Sequence, residues 1–281
     1  MPDKLINFSE AQAERLVLFY SDVEKEILNE INRALLKGNQ TAYLKGMQKN
    51  VQAILADLNA GSLTWCESAI PAVYLKGAEN ADTMIEAAEG GAKIAFGSLH
   101  QQAAQVLAEA TYNRLGDISG TIGRRVDDIY RTLALENVRS SVTGVKSWQA
   151  VARNYRDTLL ENGVTGFKDA TGREWNLTTY AKMTARTTTQ EAHIQGTVNR
   201  LSERGHDLVI VSTHSKPCPK CKPWEGKILS ISGKTEGYPT LSEAKGAGLL
   251  HPNCRHGLSL YVDIEGEIAA YEKEHGEIKV D

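Results

Sequence analysis

Asp207-Leu208-Val209-Ile210-Val211-Ser212 is a short apolar run rich in β-branched residues. Such a run, in a region punctuated by turn residues, predicts a buried strand. Lys227-Ile228-Leu229-Ser230-Ile231-Ser232 alternates like a strand and meets a turn at Gly233-Lys234. Leu258 to Val262 reads as a third strand. Just upstream, Leu177 to Leu201 has helical character and is closed by Gly205. The block from Gly166-Phe167-Lys168-Asp169 to Gly172-Arg173-Glu174-Trp175 is turn-rich, with aromatic residues able to anchor a loop. Residues 164–262 are therefore expected to form a small α+β module.

The chain before it reads differently. Ser9-Glu10-Ala11-Gln12 has the spacing of a capping box. Leu16, Tyr20, Val23, Ile27, Ile31 and Leu35 follow at steps of three and four, which is one helical stripe, and Gly38 ends it. The pattern returns with Leu44, Met47, Val51, Ile54, Leu55 and Leu58, and is expected to stop at Gly61. Helices are expected over 64–76, 80–89, 98–115 (stopped by Gly116) and 121–139, the last carrying Arg124, Arg125 and Arg131. Ser147 is a candidate cap for one more, through Leu160, ending at Asn162-Gly163. Few alternating β-branched runs occur before residue 163, so no sheet is expected there. This helical region is either a scaffold bundle or an assembly surface whose apolar stripes pack against other chains.

Composition narrows the function classes. The chain has 281 residues, 41% hydrophobic and 24% charged, ordinary values for a globular protein with chain enough for its own core. A net charge of −3 argues against a dedicated, strongly basic nucleic-acid binder. No run of 18 apolar residues exists, so no membrane span is expected. The start, Met1-Pro2-Asp3-Lys4-Leu5-Ile6-Asn7, lacks a charged segment followed by an apolar core, so no secretory signal is expected. The charge is uneven: −3 over residues 1–180, +5 over 181–261 and −5 over 262–281. The acidic tail, 263–281, reads as a solvated end, with cover for a partner site or mimicry of nucleic acid as the alternative.

The chemical signal is a cysteine–histidine cluster. Cys218-Pro219-Lys220-Cys221 is followed about 30 residues later by His251-Pro252-Asn253-Cys254-Arg255-His256, while Cys66 stands alone. A Cys-x-x-Cys turn aims two thiolates at one point, the usual first half of a structural zinc site. Cys254 and His256, two apart, face the same side of an extended segment. Cys218, Cys221, Cys254 and His256 thus make a Cys₃His set suited to tetrahedral Zn²⁺, with His214 and His251 as alternates or supporting residues. The competing readings are reduced thiols beside scattered histidines, or a redox Cys-x-x-Cys; the latter would need a strand feeding a helix, which is missing. A catalytic zinc would need an open position and a base, for which Glu225 is the candidate. A deaminase site would pair its Pro-Cys-x-x-Cys with an upstream His-x-Glu, but His214 is followed by Ser215-Lys216. A nuclease of the His-Asn-His type would use His251 or His256 as base.

Three blocks carry a resemblance to a known family. The first is Gly166-Phe167-Lys168-Asp169 through Trp175, Tyr180, Met183 and Arg186-Thr187; the second is Ser212-Thr213-His214 through Trp224-Glu225-Gly226-Lys227; the third is His251 through His256. In order and spacing they resemble the phage minor capsid protein 2 family, relatives of the Mu F-like head morphogenesis proteins. Many members carry Arg-Pro-x-His where this chain has Cys218-Pro219-Lys220-Cys221. The Mu F-like relatives carry Cys-x-x-Cys and end the last block in Cys, where this chain has His256. The sequence mixes the two versions, which makes His214, Cys221 and Cys254 candidate shared ligands. The resemblance implies a virion component, made in the bacterial host cytoplasm, that acts with the portal protein and the major capsid protein.

The expected architecture is a helical assembly region (1–163), an α+β module with a structural zinc site (164–262) and an acidic tail (263–281). The expected function is a minor structural protein of a tailed-phage head, near the portal or the inner capsid wall, without catalytic activity. Residues 1–163 are expected to carry the contacts to portal, shell or further copies, and packaged DNA is a further candidate contact. The alternatives are a metal-dependent nuclease or toxin-like effector packaged in the head, and a zinc-stabilised nucleic-acid-binding module that uses the charge of 181–261.

Overall fold

The structure is a computed structural model that describes residues 2–36, 41–90, 96–143, 167–168 and 173–263. Three long helices come first: α1 (Pro2–Leu36), α2 (Thr41–Glu89) and α3 (Ser98–Thr143). Two short strands, β1 (Phe167–Lys168) and β2 (Glu174–Trp175), precede α4 (Leu177–Glu203). Then come β3 (Leu208–Val211), a 3₁₀ turn at Lys222–Trp224, β4 (Ile228–Ser230), α5 (Leu241–Gly246) and β5 (Leu258–Leu260). The fold class is α+β: a mostly helical N-terminal region, then a small three-stranded sheet beside the cysteine–histidine cluster. Among the described residues, no helix is long and apolar enough to cross a membrane.

The chain divides into two compact units that do not follow its linear order: Met1–Val73 with Gln101–Ala192, and Tyr74–His100 with His193–Asp281. The reason is helix length. At 49, 46 and 27 residues, α2, α3 and α4 each supply residues to both units. The sequence division at residue 163, and the expected helix from Ser147 to Leu160, lie outside the described residues.

In the first unit the predicted stripe of α1 is the buried face: Leu16, Tyr20, Val23, Ile27 and Ile31 are all almost fully enclosed. Each such side chain contributes about 1.5–3 kcal/mol by leaving water. Polar contacts fix the pairing with α2. Tyr20 Oη lies 2.8 Å from Ser62 Oγ, and Trp65 Nε1 donates to the Gln12 carbonyl at 2.9 Å. On the other side of α2, Gln48 donates to Asp127 (2.6 Å) and Ser119 to Asn59 (2.6 Å). In both pairings residue numbers rise on one helix as they fall on the other, so the neighbours are antiparallel. In α3 the large buried apolar residues are Leu115, Ile118, Ile122, Val126, Ile129 and Leu133.

Several expected boundaries are corrected here. Ser9 is not a cap: α1 begins at Pro2, and Ser9 is a buried interior residue. Gly61 and Gly116 stop nothing, because α2 and α3 run through them. A glycine costs a helix only about 1 kcal/mol, which packing overrides. At Gly61 the missing side chain makes room for a ring: a Cβ there would lie 2.4 Å from Phe19 Cζ. The first family block forms a short hairpin ladder, Phe167 opposite Trp175 and Lys168 opposite Glu174. The Trp175 ring meets Tyr180 edge-on at 5.6 Å, and the Arg173 guanidinium lies 5.5 Å from the Trp175 centroid. These aromatics anchor the hairpin to the start of α4.

In the second unit α2 and α4 cross at backbone contact. A Cβ on Gly77 would lie 2.1 Å from the His193 carbonyl oxygen, and one on Gly196 would lie 2.0 Å from that of Tyr74. Thr197 Oγ1 donates to the Gly77 carbonyl across the crossing (3.0 Å). Beside it Arg200 is fully buried. Its guanidinium donates twice to Asp82 (2.8 and 2.9 Å) and once to Glu203 (2.6 Å), and lies 4.7 Å from the Phe96 ring centroid. His100 bridges Glu203 (2.9 Å) to Tyr74 (3.0 Å), and Asn199 donates to the Tyr74 oxygen (2.8 Å). A buried charge of this kind survives because it is bidentately paired. Gly205 ends α4 as predicted, at φ +88°. The His206 N–H reaches back to Leu201 and that of Gly205 to Ser202, which satisfies two terminal carbonyls.

The sheet order is β4-β3-β5, with β3 antiparallel to both neighbours. Val209, Val211, Leu229 and Leu258 join Ile85, Ile194, Val198 and Leu201 in one apolar core. Asp207, at the entrance to β3, clamps the turn after β4. Its carboxylate accepts from Ser230 Oγ (2.5 Å), Thr235 Oγ1 (2.7 Å) and the Ser232 N–H (2.7 Å). Burial works to raise its pKa, but the three hydrogen bonds outweigh it and hold the carboxyl far below the usual range. Helix α5, which the sequence reading missed, starts with a capping box: Thr240 Oγ1 accepts from the Glu243 N–H, and Glu243 accepts from that of Thr240.

Candidate metal centre

Sheet direction brings the two cysteine motifs together. Since β3 opposes both neighbours, the loop leaving it and the loops entering β4 and β5 gather at one end of the sheet, where Val211 pairs with Leu258. The first loop carries Cys218 and Cys221; the other carries His251, Cys254 and His256. Each motif is folded around its own sulfur. The Cys218 carbonyl accepts from the N–H groups of Cys221 (3.1 Å) and Lys222 (2.9 Å), and Cys218 Sγ accepts from that of Cys221 (3.4 Å). In the second motif Cys254 Sγ accepts from the His256 N–H at 3.4 Å. Its turn needs left-handed backbone at two non-glycine residues, Leu250 (φ 59°) and Asn253 (φ 63°). Asparagine tolerates that conformation. Leucine there is costly, and such strain concentrates at ligand-holding sites.

The donors form two groups that share Cys221. One is Cys218, Cys221 and His251; the other is Cys221, Cys254 and His256; within each, the ligand atoms lie within 4.8 Å of one another. His251 Nε2 is 2.9 Å from Cys218 Sγ, and His256 Nδ1 is 3.4 Å from Cys254 Sγ. Cys221 Sγ and Cys254 Sγ are 3.6 Å apart, and all three thiols are free. That separation is far too long for a disulfide and close to the edge of about 3.8 Å expected between two sulfurs of a tetrahedral zinc site. Cys221, Cys254 and His256 are buried; Cys218 and His251 are half-buried. The donor set therefore fits a soft divalent cation.

Electrostatics set two of the thiols apart. Burial, with the adjacent thiols of Cys218 and Cys254, pushes the Cys221 thiol up to about 12. At Cys218 burial works upward too, but hydrogen bonds from His251 and from backbone N–H groups bring the thiol down to about 7. A divalent cation among these sulfurs would favour the thiolate at each of them.

All four predicted ligands, and the alternate His251, fall in the two groups; His214 does not. Its Nε2 lies 3.1 Å from the Arg255 carbonyl, which can only accept, so that nitrogen carries the proton. Its ring stands edge-on to that of His256 at 4.5 Å. Glu225 is the residue whose role the sequence did not reveal. One oxygen, Oε1, accepts from His256 Nε2 (3.0 Å) and from the His214 N–H (2.7 Å). Those hydrogen bonds, the one from His256 first, hold its carboxyl below the usual range. Carboxylate, histidine and cluster thus stand in line, the arrangement that fixes a metal-binding imidazole. The signal lay in the sequence only as a glutamate four residues after Cys221. Cys66 lies apart in sequence, fully buried on α2, and burial pushes its thiol up to about 12.

The comparisons with known proteins bear on the whole chain. The profile of a family described as phage minor capsid protein 2 matches residues 3–278. No curated protein matches the chain, and no solved structure matches it.

Proposed function

The chain belongs to the phage minor capsid protein 2 family, and from that premise we propose that it is a minor structural protein of a tailed-phage head, stabilised by one Zn²⁺. The family supports a structural role in the head and a place in the virion. The finer reading is incorporation during assembly, near the portal or the inner capsid wall, after synthesis in the bacterial host cytoplasm. Its partners are the portal protein, the major capsid protein or further copies of itself. The observation that carries the reading is the match over residues 3–278, nearly the whole chain. Mass spectrometry of purified particles tests it. The chain is expected in every particle at a small, fixed ratio to the shell subunit; its absence from particles overturns the reading.

The zinc ligands are Cys218, Cys221, Cys254 and His256. His256 is favoured over His251 because it is more deeply enclosed and its far nitrogen is held by Glu225. Elemental analysis of protein purified without added metal is expected to give about one Zn²⁺ per chain. His256→Asn is expected to lower that ratio and His251→Asn to leave it; the reverse pattern reassigns the fourth ligand.

The metal is structural, not catalytic. Three thiolates and an imidazole fill a tetrahedral site and leave no position for a reacting water. Glu225, the candidate base, already accepts two hydrogen bonds on one oxygen, and its depressed pKa makes it a weak proton acceptor. Metal-dependent cleavage of nucleic acid that Glu225→Gln abolished would overturn this assignment.

A further inference from the structure

The two loops that meet at the metal centre also gather cations. Lys216, Lys220 and Lys222 lie on the first loop, Lys227 at its end, and Arg255 between the two buried ligands Cys254 and His256; all five are exposed. Lys227 lies over the Trp224 ring, 5.1 Å from its centroid. Among the described residues, Lys216, Lys220, Lys222 and Arg255 have no acidic partner. The one acid in these loops, Glu225, is occupied by His214 and His256. Other acids of the unit are also engaged: Asp82 by Arg200, Asp207 by the turn after β4, and Glu243 by its capping box. Among the described residues, the two loops thus carry five exposed cations against one half-buried carboxylate, Glu225.

We propose that Lys216, Lys220, Lys222, Lys227 and Arg255 form a surface that binds the phosphate backbone of double-stranded nucleic acid without regard to sequence. The proposal stands on charge placement and does not need the assignment of the metal ligands or of the head. Two observations select this partner. The exposed large apolar side chains among the described residues are Leu18, Tyr43, Leu63, Leu99, Val106 and Leu135; of these only Leu99 belongs to the unit that holds the sheet, and none lies on the two loops. A protein interface normally centres on such residues, whereas a phosphate backbone is held by charge alone. The one aromatic ring in these loops, Trp224, is half-buried and lies under Lys227, so it offers no platform for unpaired bases.

The test is fluorescence anisotropy with a short duplex DNA of random sequence and the full chain, over a series of salt concentrations. Five phosphate contacts predict a log–log salt slope of about −4.5, since each contributes roughly −0.9. Replacing Lys216, Lys220, Lys222 and Arg255 together by Gln is expected to abolish measurable binding with zinc content and circular dichroism unchanged. Should that variant misfold, Lys222→Gln alone is expected to flatten the slope by about 0.9. Lys234→Gln, at the opposite end of the sheet, is expected to change nothing. The proposal is overturned if the wild type does not bind at low salt, or if the substitutions leave the slope intact. Tighter binding of single-stranded DNA than of duplex also overturns it. So does displacement of the duplex by polyglutamate at equal charge, which would make an acidic polypeptide the partner.

Discussion

The helical first unit and the cysteine-bearing end of the sheet are held by different physics. In the first unit long stripes do the work: residue after residue of α1, α2 and α3 leaves water, and polar contacts such as Tyr20 with Ser62 only set the pairing. At the sheet end the apolar core is built from short elements and loop residues. β3 has four residues and β4 and β5 three each, and the loops around them are largely exposed. Order there comes from a few directed contacts: thiols, two histidines, one carboxylate and two residues in left-handed backbone. Many weak contacts degrade gradually. A few strong ones fail together.

The largest expected effect follows from that contrast. With the proposed zinc site, a strong chelator, or Cys254→Ser, is expected to remove a cation whose binding is worth on the order of 10 kcal/mol in small zinc modules. Limited proteolysis is then expected to cut within 212–257, while the helical circular dichroism persists. A chain that loses its helices at the same chelator concentration would show that the two regions are not separable.

The second effect tests a directed contact within the helices themselves. Asp82→Asn leaves the buried Arg200 guanidinium without its bidentate anion and is expected to cost about 3–5 kcal/mol, read as the denaturant midpoint. Replacing the pair together, Asp82→Leu with Arg200→Met, is expected to cost less, because no charge is then stranded. Equal losses would mean that packing, not charge, sets the cost.

A third effect is one of pH. Burial pushes His193 down to about 4, and its Nε2 has no hydrogen-bond partner among the described residues. The fold thus holds the neutral ring, while the unfolded ring takes its proton near pH 6.5. Stability from this residue is complete above pH 6.5 and is lost as pH falls toward 4, by roughly 3 kcal/mol in all. His193→Leu is expected to flatten that part of the stability profile. The same slope in the variant would assign it to another group.

The smallest effect runs the other way. A Cβ at Gly116 meets nothing within 4 Å, so Gly116→Ala is expected to stabilise α3 by about 0.5–1 kcal/mol, read as a higher melting temperature. A loss would show that this position is covered in solution.

The same contrast explains what could be read from the sequence. The stripe from Leu16 to Ile31 and the β-branched run at 208–211 were legible because period and composition are local properties. The stops expected at Gly61 and Gly116 were misread because a glycine's local cost is small against packing from elsewhere. Gly77 and Gly196 carried no local sign of their role, since each is needed only where it meets the other helix. At the metal centre the donor types and spacing were plain. The pairing of Cys218 with His251 and of Cys221 with Cys254 depends on how two distant loops align. The tie from His256 to Glu225 depends on the same alignment, so neither could be read in advance.

The donors at the end of the sheet also bear on how fast the chain folds. Cys218 and His251, like Cys221 and Cys254, are 33 positions apart. Closing a flexible loop of that length costs about 3 kcal/mol of chain entropy. The β3–β5 pairing, Val211 with Leu258, needs the same closure before its hydrogen bonds can form. A cation captured early by both loops would hold the strands near one another while they search for register. Zinc present at dilution from denaturant should therefore accelerate formation of the sheet, and zinc added afterwards should not.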